Sequence, residues 1–326
     1  MTGVAALGHF FVDLLCAWGM FRFCRPAEGW MELALFYNFC AFALQMPLGL
    51  LADRYRQEGS FALLGGLLVS GACVFLGKVP AAFAVTAGIG NALYHVGGGA
   101  AVLHTYPGRA GPLGLFVSPG AFGIFFGTLL GKEAAPLLGP GAAGLLGCSL
   151  LFFLLRRGER IPPMDTEARG AGIIALLCLF LVVCLRSYVG FLFTFPWKTG
   201  LLAAALPCIV VLGKTAGGCL ADRFGAGRTA AVSLGLSALL FFFSGDPLWG
   251  ILAVFLFNMT MPVTLRAAAD ALPGMPGFSF GLLTFALFLG FLPAWLGLPA
   301  PAGGWFLALG AVLSLALLLP GLRKKP

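Results

Sequence analysis

The chain has 326 residues, of which 60% are apolar and only 10% charged, and it carries a formal net charge of +8. A soluble domain carries about 25% charged residues, so this polar supply is too small to cover a water-facing fold of such length. An ordinary cytosolic enzyme, a disordered chain and a secreted disulfide scaffold are thereby excluded. The 48 glycines without a collagen period suit closely packed transmembrane helices.

A membrane span needs about 20 mostly apolar residues, and twelve such segments follow one another along the chain. The first, 2–21, carries His9 and Asp13 one turn apart on one face. No Lys or Arg precedes Arg22, so this stretch reads as a retained helix and not as a cleavable signal. The second, 30–52, has Glu32 near its outer end and runs into Gly49-Leu50-Leu51-Ala52-Asp53-Arg54-Tyr55. After 60–78, the fourth span, 81–105, holds Asn91 and His95 one turn apart, then Gly97-Gly98-Gly99, with His104 at its interfacial end. The fifth, 110–131, contains Ser118-Pro119-Gly120 and then Gly123-x-x-x-Gly127-x-x-x-Gly131, a spacing that marks close helix contact. The sixth is 137–156.

A polar stretch, 157–170, then divides the chain into an N-terminal unit, 1–156, and a C-terminal unit, 171–326. The seventh span, 171–194, has Arg186 as its only charge, followed by Tyr188. The eighth, 199–221, places Lys214 two turns before Asp222, where it snorkels, pairs near Asp270 or attracts an anion. The ninth is 227–244. The tenth, 248–268, includes Asn258 and ends near Arg266 and Asp270, spaced for a helix-end pair. The last two are 275–297 and 301–320. Trp30, Trp197, Trp249 and Trp305 lie near span ends, where they read as interface anchors.

Thirteen of the twenty Lys and Arg fall on the linker's side of the spans. Five (Arg22, Arg25, Lys78, Lys132 and Lys198) fall on the other, while Arg186 and Lys214 lie within spans. The bias predicts a multi-pass cell-membrane protein, in a bacterial inner membrane, with a cytoplasmic linker and both termini cytoplasmic. The basic residues form no stripe with interleaved aromatics, so no nucleic-acid partner is expected. The nine cysteines contain no C-x-x-C pair and read as small packing residues.

The segment at Gly49 recurs as Gly218-Cys219-Leu220-Ala221-Asp222-Arg223-Phe224, 169 residues later. Applied to the start of the first span, the same offset reaches the start of the seventh. Two parallel six-helix repeats follow. In each copy Gly and Ala let backbones approach, while Asp53 with Arg54, and Asp222 with Arg223, fix a short cytoplasmic turn at a gate.

These residues resemble the major facilitator superfamily, whose signature between helices 2 and 3 reads G-x-L-A-D-R-x-G-R-K. Gly49, Asp53, Arg54 and Arg56 match it, Tyr55-Arg56-Gln57 departs from the glycine-containing turn, and Gly225 restores that glycine in the second copy. The resemblance implies an all-α fold of twelve helices in two parallel bundles around a central cavity lined by helices 1 and 7. A finer resemblance is to the fosmidomycin-resistance branch of drug exporters, through His9 and Asp13, the glycine-rich stretch ending in Tyr94-His95-Val96, and Arg186-Ser187-Tyr188. Val96 replaces that branch's proline, and Gly98 stands where a charge is expected.

Function follows from the polar residues inside the spans, because an ionisable group at mid-membrane costs roughly 2.5–3.5 kcal/mol on insertion scales and faces a cavity or a partner. His9 and Asp13 are either a proton-coupling pair or a structural pair locking the first helix. Asn91, His95, Arg186, Tyr188, Lys214 and Asn258 are the substrate-cavity candidates, and their cationic excess favours an anionic or zwitterionic small molecule. Three histidines spread over two helices without a carboxylate triad do not make a metal site, and no metal or cofactor is expected. No G-x-x-x-x-G-K-[ST], H-E-x-x-H or G-x-S-x-G is present, which excludes direct ATP drive and leaves no enzymatic constellation. The expected protein is a monomeric secondary transporter in the lipid bilayer, exporting its substrate against protons. A transport-inactive receptor or scaffold, and an importer or uniporter, are the competing classes.

Overall fold

The computed structural model describes residues 1–159, 172–299, 301 and 303–323. The central linker expected at 157–170 lies almost wholly outside them. Among the described residues there are helices and no strand. Taken in chain order they form twelve helical segments: α1 Thr2–Cys24, α2 Trp30–Tyr55, α3 Glu58–Phe75, α4 Pro80–Thr105, α5 Gly111–Lys132, α6 Leu138–Arg156, α7 Ile173–Phe191, α8 Gly200–Phe224, α9 Ala226–Phe241, α10 Pro247–Ala271, α11 Pro276–Trp295 and α12 Gly304–Gly321. Ten of these are long and apolar enough to cross a membrane; α4 is long but more polar, and α9 is shorter. The chain is a multi-pass membrane protein.

Backbone chemistry explains where the helices depart from regularity. Proline lacks the N–H that an α-helix requires. Thus α5 breaks at Ser118-Pro119 into Gly111–Val117 and Gly120–Lys132, and α10 breaks at Met259-Thr260 just before Pro262. In α2 one π turn, Phe39–Ala43, precedes Pro47, and the Gln45 amide donates to the Ala41 carbonyl at 2.6 Å. The side chain thereby restores a bond to the loosened ladder.

The contacts sort the chain into two compact units. The first contains Met1–Thr105, the chain from Phe116 through α6, and Gly274–Thr284; the second contains Tyr106–Leu115, α7 through Pro273, and Phe285 onward. Each unit thus includes the first turns of a helix whose remainder counts with the other: α11 for the first unit, α5 for the second. In the first unit α1 packs on the lower part of α5 along the glycine stripe read from the sequence. A Cβ at Gly123, Gly127 or Gly131 would lie 2.4, 2.3 or 2.6 Å from the carbonyl oxygens of Phe10, Leu14 and Trp18. Only glycine permits that approach, and it brings α1 against α5 at His9 and Asp13. In the second unit α8 packs equally closely on α10, where a Cβ at Gly217 would meet the Met259 carbonyl oxygen at 1.9 Å.

Candidate functional site

The polar side chains of α1 and α4 meet inside the first unit. His9, Asp13, Asn91 and His95 are each less than a tenth exposed. Asn91 sits one turn before His95, so both face α1, and the Asn91 amide donates to Asp13 Oδ1 at 2.9 Å. Asp13 Oδ2 lies 3.2 Å from His9 Nε2. The two imidazoles approach with Nε2 to Nε2 at 2.8 Å, and His95 Nε2 is 3.8 Å from Asp13 Oδ1.

The outer ring nitrogens fix the tautomers. His9 Nδ1 lies 2.7 Å from the Phe116 carbonyl, and His95 Nδ1 lies 2.9 Å from the Asn91 carbonyl. A carbonyl only accepts, so each Nδ1 carries a hydrogen and donates. Each neutral ring then directs the lone pair of Nε2 inward, toward the other ring and the carboxylate. Two lone pairs at 2.8 Å repel unless a cation sits between them. A proton or another cation placed between them would relieve that repulsion. The arrangement can therefore hold a proton and exchange it among three groups. Phe116 was not legible as a partner, although the Ser118-Pro119 break just after it is the signal that this stretch departs from a regular helix.

Arg186 occupies a different setting in the second unit. One guanidinium nitrogen, Nη2, donates to the Phe257 carbonyl at 3.0 Å, and the group lies 5.2 Å from the centre of the Phe257 ring. Its Nε is buried without a hydrogen-bond partner, and among the described residues no carboxylate pairs with it. A buried guanidinium with donor capacity to spare attracts an anion. Tyr188 packs edge-on against Phe306, with ring centres 6.2 Å apart, and the Asn258 amide bonds back to the Val254 carbonyl at 2.8 Å. Lys214 is half-buried on α8, one turn from Gly218. Arg266 and Asp270 form the expected pair, at 3.2 Å. Trp197 is no interface anchor: it is buried, stacked on Phe195, and donates to the Ser244 carbonyl at 2.9 Å. A cavity of about 380 Å³ in the same unit, bordered by Leu192, Phe195, Ser244 and Leu307, includes none of these candidates.

The duplicated motif resolves into two matching clamps. Asp53, at the end of α2, accepts from the backbone N–H groups of Gly277 and Phe278 at 2.8 and 2.7 Å. Asp222, at the end of α8, accepts from those of Ala110 and Gly111 at 2.6 and 2.9 Å. In each case a carboxylate closes on the first N–H groups of a helix, where unpaired donors and the helix dipole favour negative charge. Gly49 and Gly218 allow the approach, since a Cβ would lie 2.1 Å from the Gly277 carbonyl oxygen or 2.5 Å from that of Ala110. The Asp residues thus hold a distant helix as well as bordering a local turn. Arg54 is exposed, whereas Arg223 lies over the Phe224 ring at 5.2 Å. Arg109 approaches Asp222 at 3.6 Å. Arg56, read from the sequence as a match to the signature, instead falls on its glycine position and adopts the left-handed conformation at φ 56°, whereas the second copy has a glycine there, Gly225, at φ 91°.

Glu58 was missed by the sequence reading. It is buried at the start of α3 and binds both Arg156 and His104, while Arg156 also reaches Glu159 and donates to Thr105 Oγ1 at 3.2 Å. His104 and Arg156, read as an interfacial residue and a topology charge, belong to this ionic network within the first unit.

The sequence matches no family model and no curated protein. Solved structures do match. The E. coli fucose:proton symporter FucP is 15% identical with a TM-score of 0.61, covering 96% of this chain and 97% of its own. A bacterial homologue of the iron transporter ferroportin in an outward-facing state is 13% identical with a TM-score of 0.63, covering 98% and 97%. The proton:xylose symporter XylE is 16% identical with a TM-score of 0.57, covering 97% and 94%. Across nearly its whole length, this chain has the twelve-helix fold of the major facilitator superfamily transporters.

Proposed function

We propose that the protein is a secondary active transporter that exports a small anionic or zwitterionic organic molecule in exchange for protons, by alternating access. The observation that carries the reading is the buried cluster of His9, Asp13, Asn91 and His95, a proton-exchanging group where a purely structural helix pair needs none. Ionisable groups at membrane depth are costly and mark ion pathways. Arg186, without a carboxylate partner among the described residues, is the anion-holding group, with Tyr188, Lys214 and Asn258 as further cavity candidates. The clamps at Asp53 and Asp222 are the gate: each holds a helix start by interactions that a conformational change can release and remake. On this reading the residues act within two bundles, 1–156 and 171–326, joined by a cytoplasmic linker at 157–170. The transporter works as a monomer, with both termini cytoplasmic, in a bacterial inner membrane, and it is similar to the fosmidomycin-resistance branch of exporters.

Thermal stabilisation of purified protein across a panel of anionic, zwitterionic and neutral compounds tests the substrate class. Ligands that stabilise wild type through their anionic group should lose most of that effect in Arg186→Lys, because a point charge replaces a planar fork. Stabilisation confined to neutral compounds, and indifferent to Arg186→Lys, would remove the anion assignment.

A further inference from the structure

The donor set at the meeting of α1 and α4 has a second use. His9 Nε2, His95 Nε2 and the carboxylate of Asp13 all lie within 4.8 Å of one another, and all three side chains are buried. Sequence spacing argued against a metal site because the histidines sit on separate helices, but helix packing brings them together. Four-coordinate zinc, with bonds of about 2.0–2.1 Å, sets its donor atoms roughly 3.3 Å apart. From His9 Nε2 the separations are 2.8 Å to His95 Nε2 and 3.2 Å to Asp13 Oδ2, just below that value, while His95 Nε2 lies 3.8 Å from the other carboxylate oxygen, Oδ1; rotation of the rings and the carboxylate would seat an ion among them.

Three further features fit a metal. Both Nδ1 atoms donate to backbone carbonyls, which leaves both Nε2 lone pairs directed at one point; this is the outer-shell arrangement that orients ligating histidines. The Asn91 amide holds Asp13 Oδ1 at 2.9 Å, leaving Oδ2 toward His9. Gly120 packs directly on these donors: a Cβ there would come within 2.4 Å of both Asp13 Oδ2 and His9 Nε2, so any larger residue would displace them. Two imidazoles and one carboxylate make three protein ligands with one position left for water or an anion. This set suits Zn²⁺ and neighbouring divalent first-row ions; Mg²⁺ and Ca²⁺ prefer oxygen alone.

We propose that His9, Asp13 and His95 form a binding site for one divalent transition-metal ion, with Asn91 and the Phe116 carbonyl as positioning groups. The ion takes the place of a proton between the rings. This inference concerns equilibrium occupancy and stands apart from the transport reading, so either can fail without the other.

The test uses the purified full chain, stripped with chelator and dialysed against Zn²⁺. Wild type should bind one equivalent through this site and gain thermal stability with Zn²⁺ concentration. His9→Gln and His95→Gln should each weaken that binding at least tenfold. Asn91→Ala should weaken it about 10- to 100-fold, the usual effect of losing an outer-shell partner. His104→Gln, in the separate Glu58 network, should leave it intact. X-ray absorption at the zinc edge of wild type needs no variant to fold. Imidazole and oxygen scattering at about 2.0–2.1 Å supports the site, whereas sulfur at about 2.3 Å places the ion on cysteines and overturns it. No stoichiometric binding, or equal binding by His9→Gln and His95→Gln, overturns it as well.

Discussion

Replacing Asp53 by Asn removes one charge and little else, and the geometry gives the size of the effect. The carboxylate receives two backbone N–H groups at 2.8 and 2.7 Å, one on each oxygen. Asn offers a single acceptor, so one amide of the α11 start would face an NH₂ group. A hydrogen bond to a charged group contributes about 1.5–3 kcal/mol net, and an anion at a helix N-terminus adds about 0.3–1 kcal/mol. The clamp should therefore weaken by about 2–4 kcal/mol, or roughly 30- to 1,000-fold at 1.4 kcal/mol per tenfold. Hydrogen–deuterium exchange reads this locally, through the amides of Gly277 and Phe278. Their protection should fall by at least 30-fold in Asp53→Asn, while Ala110 and Gly111 keep theirs. Asp222→Asn should show the converse. Unchanged protection of 277 and 278 would mean that the Asp53 carboxylate does not hold the start of α11. Transport at wild-type rates in both variants would remove the gating role.

Three other outcomes are expected. Gly127→Ala puts a Cβ 2.3 Å from the Leu14 carbonyl oxygen and should destabilise by about 1–3 kcal/mol, seen as a lower thermal midpoint; Gly139→Ala, which enters open space, should not. Arg56→Gly should keep or raise the midpoint, because an L-residue in the left-handed region costs about 1–2 kcal/mol, and Arg56→Val should lower it; equal losses in both would show that the side chain, not the backbone, matters there. Cysteines placed singly at 160–168, outside the described residues, should resist an impermeant reagent added to intact cells, and labelling from outside would reverse the topology.

Much of the fold was legible because hydropathy and spacing are local signals. Each of the twelve spans corresponds to a helix with shifts of a few residues, and the Gly123, Gly127 and Gly131 stripe marked a true helix contact. What stayed hidden depends on which helices touch. Asp53 meets Gly277 across 224 residues of chain, so its partner is invisible to a local motif. The His9–His95 contact needs α1 and α4 side by side, and without it the histidines read as isolated. Glu58 carried no spacing signal at all, since its partners lie 46 and 98 residues away. Arg186 was conspicuous as the lone charge of its span, but its Phe257 contacts and missing carboxylate required the surrounding helices.

Whether the buried carboxyl couples protons to substrate is decided by paired proton and substrate flux in reconstituted vesicles, for wild type and Asp13→Asn. Asn at position 13 still accepts from Asn91 but cannot hold or release the exchanged proton. Wild type should accumulate substrate when a pH gradient is imposed. Asp13→Asn should bind and exchange it at equal concentrations yet fail to move it uphill, because the two ligands are no longer linked. Full gradient-driven accumulation by Asp13→Asn would place proton coupling elsewhere in the molecule and leave Asp13 without a part in it.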